Sequence, residues 1–209
     1  LGAVLAAARV RGFQGDDLAA PDTVLATAKH FVAYGAAQGG RDYDVADISE
    51  RTLHEVYLPP FKAAVDAGVQ SIMASFNEVA GVPMHAHRGL INGLLRERWG
   101  WDGLLVSDYT GVMELMPHGV AADRASAGAL ALNAGVDMDM VSRIYYEDLP
   151  KALQDGRVTM EQIDAAVRRV LNAKFRAGLF QDPYRYCRDP ERQARFTLNP
   201  EQRAAARRM

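Results

Sequence analysis

Four short apolar runs, each followed by a helical pattern, constrain the fold of this chain more than any other feature of its sequence. The runs are predicted to form buried strands at 24–28, 70–76, 103–107 and 136–140. Helices are predicted near 50–67, 88–98, 122–134, 145–155 and 159–178. Because strands that alternate with helices usually form a parallel sheet with right-handed crossovers, the pattern predicts an α/β fold.

Two parallel architectures are compatible with this alternation. A small open doubly wound sheet usually has a glycine-rich phosphate loop after its first strand, but here the first strand continues into K-H-F at 29–31. We therefore predict a (β/α)8 TIM-barrel-type domain, represented by its C-terminal half of about four βα units. Residues 1–179 are predicted to form this partial barrel. Residues 180–209, with Pro183 and Pro190, are predicted to be an extended linker or tail that leads to a second domain.

Prolines and capping residues refine the predicted helices. Pro59 and Pro60 interrupt the 50–67 pattern, so a short helix, a bend and a second helix are expected there. The last helix opens with Thr159 and Gln162 at the spacing of a capping box and closes at Gly178.

Composition argues against several classes of partner. The net charge is −2, with both signs mixed along the chain, whereas nucleic-acid binding needs a basic face. No apolar run reaches the length of about 18 residues typical of a transmembrane helix. The first ten residues, interrupted by Arg9, are predicted to form an amphipathic helix rather than a signal peptide. We expect neither a nucleic-acid nor a membrane partner.

Polar residues are predicted to follow or end each of the four strands. They are Lys29 and His30, Asn77 and Glu78, Asp108 and Tyr109, and Asp137 and Asp139. In barrels of this type the C-terminal strand ends form the active site, so these side chains are predicted to share one rim. A single aspartate at a strand end is more often a helix cap or a loop hydrogen-bonding group, and the prediction depends on the joint pattern.

The chemistry that suits this rim is attack on a sugar. Asp108 ends the run L-L-V-S-D-Y, and a carboxylate beside a cation and hydroxyl-binding donors can attack an anomeric carbon. Glycosidases use two carboxyl groups, which retaining enzymes place about 5–5.5 Å apart. Asp108 would be the nucleophile, kept ionised by Lys29, and the second group would be a protonated acid.

Longer motifs carry a resemblance to a known family. The motifs are A-K-H-F-V-A-Y-G at 28–35, S-I-M-A-S-F-N-E-V-A-G-V-P-M-H-A at 71–86, W-G-W-D-G-L-L-V-S-D-Y at 99–109 and N-A-G-V-D-M-D-M at 133–140. In these motifs the chain is similar to glycoside hydrolase family 3, with bacterial, often periplasmic, β-glucosidases as the nearest subgroup.

The resemblance implies a retaining, exo-acting β-glucosidase without cofactor or metal, periplasmic or secreted, that acts on a β-glucoside or oligosaccharide. Asp108 matches the nucleophile that forms the glycosyl-enzyme intermediate. Lys29 and His30 match the pair that hydrogen-bonds glycone hydroxyls in the −1 subsite. Tyr109 would contact the leaving-group side, and Phe76 occupies a position where some members have a tyrosine, so a hydroxyl role is lost there.

The same resemblance implies missing parts. In the family, earlier barrel strands supply an aspartate and an arginine that grip the sugar, and a second domain supplies the acid/base glutamate. These segments would lie before Leu1 and after residue 209, and neither Glu78 nor Glu114 matches the family's acid. The chain is therefore expected to be an internal fragment with little or no turnover on its own.

Three alternatives stay open at this level. His85 and His87 have the H-x-H spacing of some metal-dependent barrel hydrolases. Lys29 could form a Schiff base, as in barrel aldolases. A non-catalytic sugar-binding or misfolded fragment is the third alternative.

Overall fold

The computed structural model describes residues 1–208. Its helices are α1 Gly2–Gln14, α2 Glu50–Thr52, α3 Leu58–Asp66, α4 Arg124–Ala134, α5 Ile144–Glu147, α6 Leu149–Gln154, α7 Met160–Arg176, α8 Arg192–Phe196 and α9 Pro200–Arg208. The strands are β1 Thr27–Phe31, β2 Val45–Ala46, β3 Ser71–Ala74, β4 Glu78–Val79, β5 Val82–Pro83 and β6 Leu104–Val106. Among residues 1–208, no helix combines the length and the apolar character needed to cross a membrane.

A parallel sheet with the order β1-β3-β6 forms the centre of the fold. Ile72 in its middle strand pairs with Ala28 on one side and with Leu105 on the other. Phe31, Ile72 and Leu105 are fully buried, as expected for strands covered on both faces. Three of the four predicted strands are thus confirmed in a parallel arrangement.

The strand predicted at 136–140 is wrong as a continuous element. It is reduced to one parallel bridge between Val106 and Met138. The cause is a side chain: the Leu105 N–H donates to Asp137 Oδ2 at 2.8 Å, so a carboxylate takes the hydrogen bond that a backbone carbonyl would accept in a ladder.

The first strand also departs from its predicted position. It runs from Thr27 to Phe31, three residues later than expected at its start. Its register with β3 shifts between Ala28 and Phe31, where three residue steps oppose the two from Ile72 to Ala74. Such an irregularity changes the direction of side chains at the strand end, which is where His30 lies.

A second, smaller sheet with the order β2-β4-β5 was not predicted. Its β4–β5 hairpin pairs Val79 with Val82, and the 3₁₀ turn Met84–Ala86 follows it directly. Met84 donates its N–H to the carbonyl of Asn77 at 3.1 Å, so this turn is fixed to the segment that connects β3 to β4.

The predicted helices are recovered with local changes. In the 50–67 region, α2 is followed by a π-helical segment, Leu53–Tyr57, and α3 then starts with Pro59 and Pro60 in its first turn, where proline is tolerated. The helix predicted at 88–98 is a π-helix, Gly89–Arg98. The 145–155 pattern divides into α5 and α6, while α4 and α7 match their predictions, and Thr159 and Gln162 form the capping box at the start of α7.

The C-terminal segment is more ordered than the extended path predicted for it. It contains α8 and α9, and it folds back on the loop between α1 and β1. Arg185 Nη2 donates to the carbonyl of Leu18 at 3.1 Å, and the Tyr186 hydroxyl donates to the carbonyl of Thr23 at 2.7 Å. These contacts connect the tail to the segment that leads into β1.

Candidate active site

The turn after β6, residues 107–111, holds Asp108 at the C-terminal end of a parallel strand. The Ser107 hydroxyl donates to the Asp108 carbonyl at 2.9 Å and accepts the Met140 N–H at 2.7 Å. The Gly111 N–H donates to the same Asp108 carbonyl at 3.0 Å. The backbone of Asp108 is therefore held by its neighbours before any contact of its carboxylate is considered.

The two oxygens of the Asp108 carboxylate have different surroundings. Oδ1 accepts the Tyr109 N–H at 2.7 Å. Oδ2 lies 3.4 Å from His30 Nε2, and the Asp108 side chain is 13% exposed. The carboxylate is thus oriented on one oxygen by the backbone and leaves the other oxygen next to an imidazole.

His30 is the residue that the structure brings to Asp108. Burial lowers the pKa of His30 from 6.5, and the Lys29 charge lowers it further, although the nearby Asp108 and Asp42 carboxylates oppose this shift. At neutral pH the ring is therefore mainly uncharged, and it faces Asp108 as a neutral hydrogen-bonding group.

Aromatic side chains form one side of the site. The Tyr34 ring meets the His30 ring edge-on at 5.0 Å, and the Tyr43 ring lies 4.4 Å from the Phe76 ring. The Tyr34 hydroxyl donates to the Asp42 carboxylate. Burial, followed by this hydrogen bond, raises the pKa of Tyr34 to about 12, so its hydroxyl keeps its proton.

Lys29 and Tyr109 are both exposed to solvent. Tyr109 is 59% exposed beside the carboxylate, compatible with the predicted leaving-group position. Lys29 is also exposed and lines a groove of about 1020 Å³ between α1 and β1. Within residues 1–208 the only ion-pair contact of Asp108 is with His30, and the expected influence of Lys29 on the carboxylate stays a prediction.

Asp137 and Asp139 do not share the site, contrary to the prediction. Asp137 is buried between Arg96 and Arg169, with Arg96 Nη2 2.6 Å and Arg169 Nη1 2.8 Å from its two oxygens. Asp139 accepts the Ser142 hydroxyl at 2.6 Å. Each carboxylate already accepts hydrogen bonds from neighbouring donors. Asp137 and Asp139 therefore stabilise the 135–145 segment.

Asn77 and Glu78 also have partners of their own. Asn77 is fully buried, and its Nδ2 donates to the carbonyl of Val32 at 3.2 Å. Glu78 Oε1 lies 2.9 Å from His118 Nδ1, in a pair that is mostly shielded from solvent. Sequence reasoning missed this pair because the two residues are 40 positions apart and belong to no shared motif.

The geometry of the H-x-H motif does not favour the metal alternative. His85 Nε2 accepts the Asp108 N–H at 3.0 Å, and His87 Nδ1 accepts the Leu90 N–H at 3.2 Å. Each ring therefore has a nitrogen lone pair occupied by a backbone donor. Residues 1–208 contain no cluster of three or more side chains suited to hold a metal ion.

The Schiff-base alternative has little structural support. Schiff-base lysines are typically desolvated in an apolar pocket or placed next to another cation. Lys29 is exposed instead.

Comparison with known proteins gives a consistent result. The profile "Glycosyl hydrolase family 3 N terminal domain" matches residues 1–173. The chain is 41% identical over 184 residues to a periplasmic beta-glucosidase of Salmonella typhimurium, covering 88% of this chain and 24% of that protein. It is 41% identical to a beta-xylosidase of Formosa agariphila, covering 82% of this chain and 25% of that one.

Solved structures agree over nearly the whole chain. The crystal structure of a mutant beta-glucosidase from Listeria innocua in complex with laminaribiose superposes with a TM-score of 0.91 at 37% identity, covering 96% of this chain and 28% of that one. A beta-glucosidase from Erythrobacter marinus gives 0.90 at 37% identity, covering 99% and 27%. These matches confirm the predicted α/β barrel-type class, and the chain spans about a quarter of the length of the curated relatives named here. The chain therefore belongs to glycosyl hydrolase family 3, matching its N-terminal domain.

Proposed function

We propose that this chain supplies the nucleophile of a retaining, exo-acting β-glucosidase, with Asp108 as the nucleophile. The observation that carries the proposal is the placement of the Asp108 carboxylate at the C-terminal end of β6, 3.4 Å from His30. The C-terminal ends of barrel strands are where the enzymes of this fold place their chemistry. Family membership supports the same assignment.

The first step would be attack by Oδ2 of Asp108 on the anomeric carbon. Oδ2 suits this role because Oδ1 already accepts the Tyr109 N–H at 2.7 Å. A new bond forms between Oδ2 and the anomeric carbon as the bond to the leaving-group oxygen breaks, and an acid protonates that oxygen. Water then cleaves the glycosyl–enzyme ester, which releases the sugar with retained configuration and frees the carboxylate.

The general acid is proposed to come from a part of the enzyme beyond this chain. Glu78, one carboxyl near the site, is paired with His118 at 2.9 Å. The chain spans about a quarter of the length of its curated relatives, and the family match covers residues 1–173. The division into a partial barrel at 1–179, a linker at 180–209 and a further domain is part of this proposal. Loss of general acid catalysis alone costs about 10²–10⁴-fold in rate, so the isolated chain should turn over poorly.

The glycone subsite is proposed to be built by His30 with the Tyr34–Asp42 pair. An imidazole, a phenol and a carboxylate can hydrogen-bond sugar hydroxyls, and Phe76 offers an apolar surface beside them.

Relatives named beta-glucosidase and beta-xylosidase make β-glucosides the first substrate class to test and β-xylosides the second. The Salmonella relative is named as periplasmic, which supports a periplasmic or secreted location.

A mechanism-based label tests the proposal directly. The full-length enzyme that we propose contains this chain is treated with a 2-deoxy-2-fluoro-β-glucoside, digested and mapped by mass spectrometry. We expect the label on Asp108, no label in Asp108→Asn, and slower labelling by the corresponding xyloside. Label on another carboxylate would refute the nucleophile assignment.

The isolated chain tests the non-catalytic alternative. Binding of gluconolactone by the 209-residue chain without hydrolysis of an aryl glucoside would indicate a folded, sugar-binding piece. A chain that unfolds without cooperativity would indicate that the remainder of the barrel is needed for stability.

A further inference from the structure

We propose that His85 is a positioning residue that fixes the nucleophile Asp108 through its backbone N–H. This inference rests on the proposed function, since it concerns the residue assigned there as the nucleophile. His85 has no contact with the carboxylate that would make it a catalytic group, and its effect would be transmitted through the turn 107–111.

The hydrogen bond defines the state of the ring. The Asp108 N–H donates to His85 Nε2 at 3.0 Å, so Nε2 must present its lone pair and the neutral ring must carry its proton on Nδ1. His85 is 2% exposed, and burial lowers its pKa from 6.5 to about 3. The ring therefore remains an acceptor throughout the pH range in which a glycosidase works.

The same ring contacts the other end of the turn. A Cβ atom added at Gly111 would lie 2.3 Å from His85 Nε2 and 2.4 Å from Cε1. Glycine is needed at 111 because the imidazole occupies the space that any side chain would require. His85 thus contacts both the residue that carries the carboxylate and the residue that ends the turn.

The ring is itself held by a dedicated element. His85 lies in the 3₁₀ turn Met84–Ala86, directly after the β4–β5 hairpin. Met84 is fully buried, and its N–H donates to the carbonyl of Asn77, which lies between β3 and β4. The small sheet and the motif G-V-P-M-H-A therefore place an imidazole from one βα unit against the nucleophile turn of the next.

This arrangement predicts an effect on rate and not only on stability. A misplacement of about 1 Å in a reacting group can cost on the order of 10²-fold in rate. Without the acceptor at 85, the Asp108 N–H would be a partly buried, unpaired donor, and the turn could shift to satisfy it. A histidine that merely fills the core would instead affect the folding free energy and leave the labelling rate of the folded enzyme unchanged.

Four variants of the full-length enzyme separate these roles. His85→Phe keeps an aromatic ring without the acceptor, and His85→Gln supplies an amide oxygen at about the reach of Nε2. His85→Asn supplies the same amide at the shorter reach of Nδ1. His87→Phe is the matched control, because His87 is a half-buried histidine two positions away whose ring accepts the Leu90 N–H instead of the Asp108 N–H.

The readout is the rate of covalent labelling by 2,4-dinitrophenyl 2-deoxy-2-fluoro-β-glucoside, whose leaving group needs no acid. We expect His85→Phe and His85→Asn to slow labelling by about 10²-fold. His85→Gln should recover most of the rate, and His87→Phe should label as the wild type does. The melting temperature is recorded for each variant, and if His85→Phe does not fold, the Gln and Asn pair decides.

The outcomes are distinguishable from failure of the proposed function. If the folded Gln, Asn and Phe variants all label at the wild-type rate, the positioning role is overturned while Asp108 remains the nucleophile. A wild-type enzyme that takes no label at Asp108 would overturn both. Ring ¹⁵N NMR of His85 adds a measurement that does not depend on activity, since the inference requires the Nδ1–H tautomer and a ring protonated on Nε2 would refute it.

Discussion

Replacement of Asp137 by alanine should be among the most destabilising single changes in this chain. The Asp137 side chain is 1% exposed and accepts from Arg96 Nη2 at 2.6 Å, Arg169 Nη1 at 2.8 Å and the Leu105 N–H at 2.8 Å. Asp137→Ala removes all three charge-assisted hydrogen bonds at once. The Arg96 side chain, 9% exposed, would then be a buried charge without its carboxylate partner.

The magnitude follows from that unpaired charge. Breaking a buried ion pair by removing one partner typically costs about 3–5 kcal/mol. Arg169 is 30% exposed and can be rehydrated, so most of the cost comes from Arg96 and from the Leu105 N–H. Against a total stability of about 5–15 kcal/mol for a typical domain, the loss is a large fraction.

Urea unfolding monitored by tryptophan fluorescence measures this loss. Trp101 is a suitable reporter because the Arg96 guanidinium lies 4.6 Å from the centre of its ring. With a slope of about 2 kcal/mol per molar urea, the midpoint should fall by roughly 1.5–2.5 M. The matched control is Asp66→Ala, which breaks an exposed pair with Lys62 and should cost under about 1 kcal/mol. If the two variants lose equal stability, the argument from burial fails.

Three further predictions follow from the structure. Because burial lowers the pKa of His85 to about 3, this residue binds one more proton in the unfolded state than in the folded state between that pH and 6.5. Its contribution to the unfolding free energy should therefore fall by about 1.4 kcal/mol per pH unit as the pH drops through this window, and urea titrations of His85→Gln should show a slope smaller by that amount than the wild type. Gly111→Ala should cost about 1–3 kcal/mol and slow labelling of Asp108, because its Cβ would lie 2.3 Å from the His85 ring, whereas Gly93→Ala, with no atom within 4 Å, should not destabilise. Thr159→Ala removes a capping box and should lower the unfolding free energy by about 0.5–2 kcal/mol, and no change in melting temperature would contradict it.

The overall architecture could be predicted because it depends on repeated local patterns. Alternating apolar runs and helical patterns predicted three parallel strands that the structure confirms. The reduction of the fourth strand to a single bridge could not be predicted, because the hydrophobic pattern does not show that the Asp137 carboxylate accepts the Leu105 N–H. The irregular register at the end of β1 was equally invisible, since it arises from the backbone path and not from residue type.

The candidate site was predictable in part. Asp108 and His30 were selected because they follow strand ends, and the structure brings them together. Tyr34 and Asp42 were missed because their contact depends on the loop after β1, which has no periodic pattern. His85 was noticed only as an H-x-H motif, whereas its contact is with a backbone N–H that no sequence pattern records. The chemical roles of these residues stay predictions until labelling is performed.

The contacts of Arg185 and Tyr186 with residues 18–23 have a consequence for biosynthesis. The Tyr186 hydroxyl reaches the carbonyl of Thr23 across 163 positions of sequence, so the approach to β1 is completed by residues translated much later. Proteins emerge from the ribosome N-terminus first, at about 5–20 residues per second. The nascent strand that carries His30 would therefore wait on the order of ten seconds before its final anchor exists, a period in which a chaperone could bind it.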